Sequence, residues 1–457
     1  IYMNINNKEF SEIFPLNPPQ DGYSFRKGFP IIQFQIANQS KLLDGRSLRL
    51  NGDITLLSPG DELPTNQQGL VPSPDNRTGI ALNNRVGVAS CLHQITTSTM
   101  SNQTLETIRS YGRFLASSLP VTHSQADFDG GLAQTNALNA SRSYNGARAA
   151  NVTTGFSIPL RTGLFTGGNL IPLGQNGVQG LNITLELGAD SNVISGYTSY
   201  NESGVPQPII FNPIDQGAHY RLTNVSLSYN LLVPDGEGQS QMTIPTTGQL
   251  TYNSYSQLYS VVNSSDSTKV FNLGTSRTKS VFHNFIRTNA INNYLFDGFS
   301  TGKLQNTGAP AEIRRLTFIR GGVKFPLDYD VMVEPQGQNN RPQTQLLTRF
   351  VDSIKPLDKF NHSLMSLYSQ TGIPDQLNFH LTPKPRLDHK LTDPNDEVFG
   401  VGINFDPLSK TGVDFRQTSY GVRIVSEING DVPNSLFTYV LGTNTLTYSP
   451  QGIMVTN

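Results

Sequence analysis

The chain has 457 residues, with 33 Lys plus Arg against 34 Asp plus Glu, one cysteine, no tryptophan, 41 glycines and 28 prolines. That length predicts two or three domains, each able to bury a core, and a net charge of −1 excludes long-range steering toward nucleic acid or an anionic membrane as the default reading. Charged residues make up only 15%, so the surface must owe its polarity mainly to Asn, Gln, Ser and Thr.

The lone Cys91 cannot close an intrachain disulfide and reads as a buried small hydrophobe. No apolar run reaches the ~18–20 residues that would cross a bilayer, and no charged-then-apolar leader opens the chain. A soluble protein stabilised by core area is expected.

In chain order, the dominant signal is period-two alternation, the mark of strands with one face buried. Leu48, Leu50, Ile54 and Leu56 share one face, with Gly52 between them. Over Ser101–Ser118 the spacing of Leu105, Ile108 and Leu115 predicts a helix capped by Ser101 or Asn102. Leu181, Ile183, Leu185 and Leu187 alternate with Asn182, Thr184 and Glu186. Val225, Leu227, Tyr229, Leu231 and Val233 form the clearest run and are expected to line a core. The stretch Val233-Pro-Asp-Gly-Glu-Gly-Gln239 cannot continue a strand and divides the chain nearly in half.

The pattern restarts in the second half. Val323, Phe325, Leu327, Tyr329, Val331 and Val333 alternate, although Pro326 argues for an edge strand or a bulge. Helical spacing appears over Thr344–Ile354 and Leu357–Gln370. Strand alternation returns at Phe399–Phe405, Tyr420–Ile424 and Phe437–Leu441. Turn pairs such as Asp44-Gly45, Asn176-Gly177 and Asn429-Gly430 punctuate the runs. The prediction is a mainly antiparallel all-β chain with a few short helices in its loops. Tyr220-Arg-Leu-Thr-Asn-Val and Tyr420-Gly-Val-Arg-Ile-Val echo one another, a weak sign of duplication.

No catalytic constellation emerges. Gly298-Phe-Ser300-Thr-Gly302 fits G-x-S-x-G, but the following Lys303–Pro310 stretch cannot open the helix that a nucleophile elbow needs. Asp127-Phe-Asp129-Gly130 begins like a calcium loop, yet Leu138 stands where a bidentate carboxylate belongs. The histidines at 93, 123, 219, 283, 362, 380 and 389 never take the helical zinc spacing. His380 and His389, with Asp388, Asp393, Asp396 and Glu397, read as a solvated Pro-rich loop. Gly302-Lys303 lacks the Ser or Thr of a P-loop, and Asp328 and Asp330 read as the outward face of a strand. Ten Asn-x-Ser/Thr sequons, at Asn38, Asn76, Asn102, Asn139, Asn151, Asn182, Asn201, Asn224, Asn263 and Asn361, follow from composition. No catalytic, cofactor-binding or metal residue is assigned, and no cofactor is expected.

The stretch Gly155-Phe-Ser-Ile-Pro-Leu-Arg-Thr-Gly-Leu-Phe165, followed by Leu181–Leu187 and the Tyr220–Pro234 strand, resembles the first jelly roll of double jelly-roll major capsid proteins. The resemblance is nearest to those of polinton-like viruses and virophages. It implies two consecutive antiparallel jelly-roll β-sandwiches, divided as an N-terminal arm 1–29, a first roll 30–235 and a second roll 236–457. It implies a structural, non-enzymatic subunit of an icosahedral double-stranded DNA virus, located in the virion shell and assembled inside the host cell. The partners implied are two further copies in a pseudo-hexameric homotrimer, neighbouring capsomers, and penton and minor capsid proteins, with an internal membrane as a further candidate and no specific nucleic acid. A lectin-like or adhesin sandwich pair is the alternative.

Overall fold

The computed structural model describes residues 7–57 (38 apart), 78–123 (84 and 85 apart), 131–143 (139 apart), 153–198 (175 and 176 apart), 218–233, 247–294 (289 and 290 apart) and 299. In the C-terminal part it describes 312–332 (327–329 apart), 349–356 (350 and 355 apart), 400–427 (407, 409 and 410 apart) and 434–456 (450 and 451 apart). The first half holds strands β1 (Asn7–Ile13), β2 (Ile31–Ile36), β3 (Leu42–Leu57), β4 (Thr78–Leu82), β5 (Leu92–Thr99), β6 (Thr104–Arg109), β7 (Ser141–Ser143), β8 (Thr153–Pro159), β9 (Leu170–Pro172), β10 (Leu181–Leu187), β11 (Ile194–Thr198) and β12 (His219–Val233). The second holds β13 (Gly248–Val262), β14 (Asp266–Phe271), β15 (Thr278–Arg287), β16 (Glu312–Arg320), β17 (Val323–Lys324), β18 (Asp330–Met332), β19 (Gly400–Asn404), β20 (Tyr420–Glu427), β21 (Asn434–Ser449) and β22 (Gly452–Thr456).

Among the described residues every strand pairing is antiparallel, and no sheet mixes the two halves. The first half forms the sheets β1-β12-β3-β8 and β2-β10-β5-β6, with β11-β4-β7 as an additional small sheet. The second forms β13-β21-β15-β19 and β14-β20-β16-β17. If the eight strands on each half's two main paths are ranked from first to eighth along the chain, both halves read 1-8-3-6 and 2-7-4-5. That is the jelly-roll order, twice. The duplication therefore lies in topology. The echo at Tyr220 and Tyr420 does not carry it, because Tyr220 sits on the eighth strand of its half and Tyr420 on the seventh of the other.

Alternation places the cores as expected. Leu181, Ile183, Leu185 and Leu187 are buried on β10, facing Ile32, Phe34 and Ile36 on the neighbouring strand's inner side. On β12, Tyr220 and Leu222 are buried on even positions, and Val225, Leu227, Tyr229 and Leu231 on odd ones. The ladder shifts between Thr223 and Ser226, where Asn224 has φ 51°. One extra residue flips the parity and keeps both sets on the core side.

Two expectations change, for Ser101–Ser118 and for residues 1–29. Ser101–Ser118 is not one helix: Leu105 and Ile108 lie on β6, and helix α1 runs over Tyr111–Thr122. The β-branched Thr104-Leu-Glu-Thr-Ile108 favours an extended chain, Asn102 forms the β5–β6 turn at φ 62°, and Ser110 at φ 48° separates strand from helix. In the Val323–Val333 run, β17 and β18 both pair with β16 at the sheet's edge, as Pro326 between them argued, while 327–329 and 333 lie outside the described residues. Residues 1–29 were expected as an arm. Within them β1 is the edge strand of the first main sheet, paired along β12, and Tyr23 is buried in the core. Of the expected helix at 344–354, residues 351–354 are helical, with Val351 and Ile354 buried. The expected helix at 357–370 lies outside the described residues.

Candidate functional site

The chemistry candidates do not converge. His283 is fully buried: Nδ1 lies 2.8 Å from the Thr438 hydroxyl and Nε2 2.7 Å from the Tyr420 hydroxyl. Burial pushes its pKa down to about 3, so the ring is a neutral core group with both nitrogens engaged. His123 lies beside Arg161, His93 is exposed, and His219 is buried. His362, His380, His389, Asp127, Asp129, Ser300, Asp328, Asp388, Asp393, Asp396 and Glu397 lie outside the described residues. Asp330 falls on the short strand β18. Cys91 is buried, and burial first, then the Asp190 charge, pushes its thiol well above the ordinary range. Among the described residues no group of three His, Cys, Asp or Glu side chains is placed to hold a metal, and no helix is long and apolar enough to cross a membrane. An open polar cavity of about 630 Å³ is lined by Ser276, Arg277, Lys279, Thr411, Arg416 and Thr443. Asp414 grips the Arg416 guanidinium, and Asn253 accepts from Lys279 at 3.0 Å.

What the fold does build is a buried seam between its halves. Strand β21 is buried on both faces. Leu436 and Val440 enter the second sandwich's own core, whereas Phe437, Tyr439 and Leu441 point the other way and join the first half's cluster. On β15, Val281 and Phe285 point inward, while Phe282 and Ile286 face the first half. Helix α1 packs into this surface through Phe114, whose ring centroid lies 4.8 Å from Tyr255, 5.6 Å from Tyr439 and 6.2 Å from Phe282. The Arg113 guanidinium covers the Phe437 ring at 4.3 Å.

Several polar groups are paired across the seam. The Tyr252 hydroxyl donates to the Leu105 carbonyl at 2.7 Å, and the Tyr439 hydroxyl donates to the Ser110 carbonyl at 3.2 Å. Asn284 donates to the Ser117 hydroxyl. Buried Glu106 accepts three backbone N–H groups, from Gly163 at 3.1 Å, Leu164 at 3.0 Å and, across the seam, Tyr255 at 2.9 Å. Burial pushes its pKa up to about 7, against the downward pull of those hydrogen bonds. Gly163 must be glycine for the halves to come this close, because a Cβ there would run into the Asn253 carbonyl oxygen. The sequence reading assigned no role to Glu106 or Gly163.

The outer faces differ. On the β1-β12-β3-β8 sheet, Ser226 donates to Glu12 at 2.5 Å, Asn51 to Ser228 at 3.0 Å, Ser157 to Asn51 at 2.7 Å and Arg49 to Ser157 at 2.9 Å. This cross-strand polar ladder takes the place of the aromatic surface on the second half's equivalent sheet. Beside it, Phe10 and Phe14 are each 70% exposed and Leu16 is 61% exposed.

No protein-family model matches the chain. No curated protein sequence matches it either. Solved structures do. PBCV-1 VP54, fitted into a cryo-EM reconstruction of the virophage Sputnik, aligns over 100% of this chain and 98% of its own at 11% identity and a TM-score of 0.56. The 3.5 Å cryo-EM structure of the Sputnik virophage aligns over 100% of this chain and 89% of its own, at 11% identity and a TM-score of 0.57. The quasi-atomic PBCV-1 capsid gives 100%, 98%, 11% and 0.54 in the same order. The agreement spans both halves in one alignment, and the fold that this chain shares with these viral structures is the double jelly roll.

Proposed function

We propose that this chain is the major capsid subunit of an icosahedral double-stranded DNA virus, working as a homotrimer whose six sandwiches imitate a hexagon. The observation that carries this reading is the repeated strand order joined by a buried seam. Two like sandwiches held rigidly side by side are half the work of building a ring, and three such chains related by a threefold axis complete it without leaving an open filament. The division is at residues 235 and 236, between β12 and β13.

In the shell each trimer meets neighbouring trimers, and at special positions penton and minor capsid proteins. The segment 1–29, with Phe10, Phe14, Leu16, Phe25 and Phe29 exposed, supplies contact surface for a neighbour, a minor protein or an internal membrane. Low charge density suits dense packing of identical copies. A lectin-like or adhesin pair draws no support from the structural neighbours.

Native mass spectrometry of the purified chain tests this reading. Three chain masses in one particle, held at micromolar concentration and physiological salt, are expected. A monomer that persists as concentration rises contradicts it.

A further inference from the structure

Inside the chain, the contact between halves follows a rule that can be stated by strand rank. The fifth strand of the first sandwich, β6, packs against the first strand of the second, β13. Tyr252 and Tyr255 on β13 are tied to Leu105 and Glu106 on β6. The same two ranks occur once more in each chain, as β17, the fifth strand of the second sandwich, and β1, the first strand of the first. Both lie at the ends of their sheet paths.

These two edges leave apolar side chains in water. Phe10 and Phe14 are each 70% exposed and Val323 is 61% exposed. Covering them removes apolar surface from water, which favours association. Phe10 pairs with Asn230 and so lies on the same outer face as the polar ladder, the face whose counterpart in the second half is covered by α1 and β6. An edge strand with exposed apolar residues is a template for another chain.

We propose that the seam is repeated between chains: β17 of one copy seats against β1 of a second copy, so that the surface around Val323 covers Phe10 and Phe14. This rests on the trimer reading and specifies its contact. The interface is heterologous, using different surfaces on its two sides, and such contacts close into rings when the rotation permits. First-to-second contacts lie within chains and second-to-first contacts lie between them, so the ring alternates.

The full chain carrying Phe10→Cys and Val323→Cys tests the contact by cross-linking with a short bis-maleimide, with Cys91 buried and out of reach. The double variant is expected to give covalent dimers and trimers on a denaturing gel, and neither single variant should. A trimeric double variant that gives no cross-linked species overturns the proposal, as do dimers from Phe10→Cys alone, which would mean a symmetric edge-to-edge contact. A second variant, Phe10→Asp with Phe14→Asp, should weaken association by more than about tenfold with the monomer's melting unchanged. If wild type trimerises and this variant trimerises equally well, the contact is elsewhere. If wild type is monomeric, the trimer reading itself falls, and the contact with it.

Discussion

Replacing Glu106 by leucine is expected to destabilise the fold by roughly 3–5 kcal/mol, because three buried N–H groups then lose their acceptor while the backbone that carries them cannot leave. Leucine fills the space, so a cavity is not the cause. The loss falls on the seam, since Gly163 and Leu164 belong to the first half and Tyr255 to the second. Glu106→Gln should cost less. One amide oxygen can still accept from both Gly163 and Tyr255, as Oε1 does now, and only the Leu164 N–H faces a donor. Urea unfolding of the three proteins, compared by midpoint and slope, reads these differences. Equal stability of the leucine variant and wild type would show that the seam does not depend on this carboxylate.

The same residue sets a pH dependence. Its folded pKa is raised from 4.5 to about 7, so between those values the folded chain keeps a proton that the unfolded chain gives up. Stability from this group is therefore full below about 4.5 and falls as pH climbs through about 7. His283 contributes the opposite slope below its ordinary pKa of 6.5, because it is held neutral when folded. The difference between wild type and Glu106→Gln removes that shared background. The advantage of wild type over the variant should shrink between pH 5 and pH 8. A constant difference would mean that Glu106 does not titrate in this window.

Phe114→Ala is expected to cost about 3–5 kcal/mol, the range for deleting a buried aromatic ring from a packed core. Phe114 touches three second-half rings, so both the transfer free energy and the cavity fall at the seam. The second sandwich has its own core, built on Val281, Leu436, Val440 and Phe318, and this core does not include Phe114. Thermal unfolding followed by near-ultraviolet circular dichroism should therefore show a lowered and broadened transition as the halves uncouple. A sharp transition at the wild-type temperature would contradict the packing role.

How much of this was legible in the sequence depends on how many faces of each strand are buried. Leu181–Leu187 alternates because one face meets the core and the other is half-exposed; Val225–Leu231 alternates because its second face, although Ser226 and Ser228 are buried on it, is polar, and both runs read as strands. Strand β21 runs Ser435-Leu-Phe-Thr-Tyr-Val-Leu441 with every side chain buried, so alternation locates the strand and hides the second buried face. Strand β15 is buried in the same continuous way from Ser280 to Ile286. Leu105, Ile108 and Leu115 fit a helical spacing by accident across a strand, a left-handed Ser110 and the start of α1. Glu106 carries no local signal of its role, since its donors lie 57, 58 and 149 positions away and only the fold brings them to it. Strand ranks were invisible too: repeated topology leaves no repeated residues when each half must meet different surroundings.

On the proposed reading, two like sandwiches in one chain exist to be tripled into a six-lobed block. A cryo-EM map of the purified oligomer tests it most directly. The expected map shows a threefold axis, six upright sandwiches around it, and first and second sandwiches alternating along the ring. A map with a twofold dimer, or with the two sandwiches of a chain parted and turned independently, would contradict it.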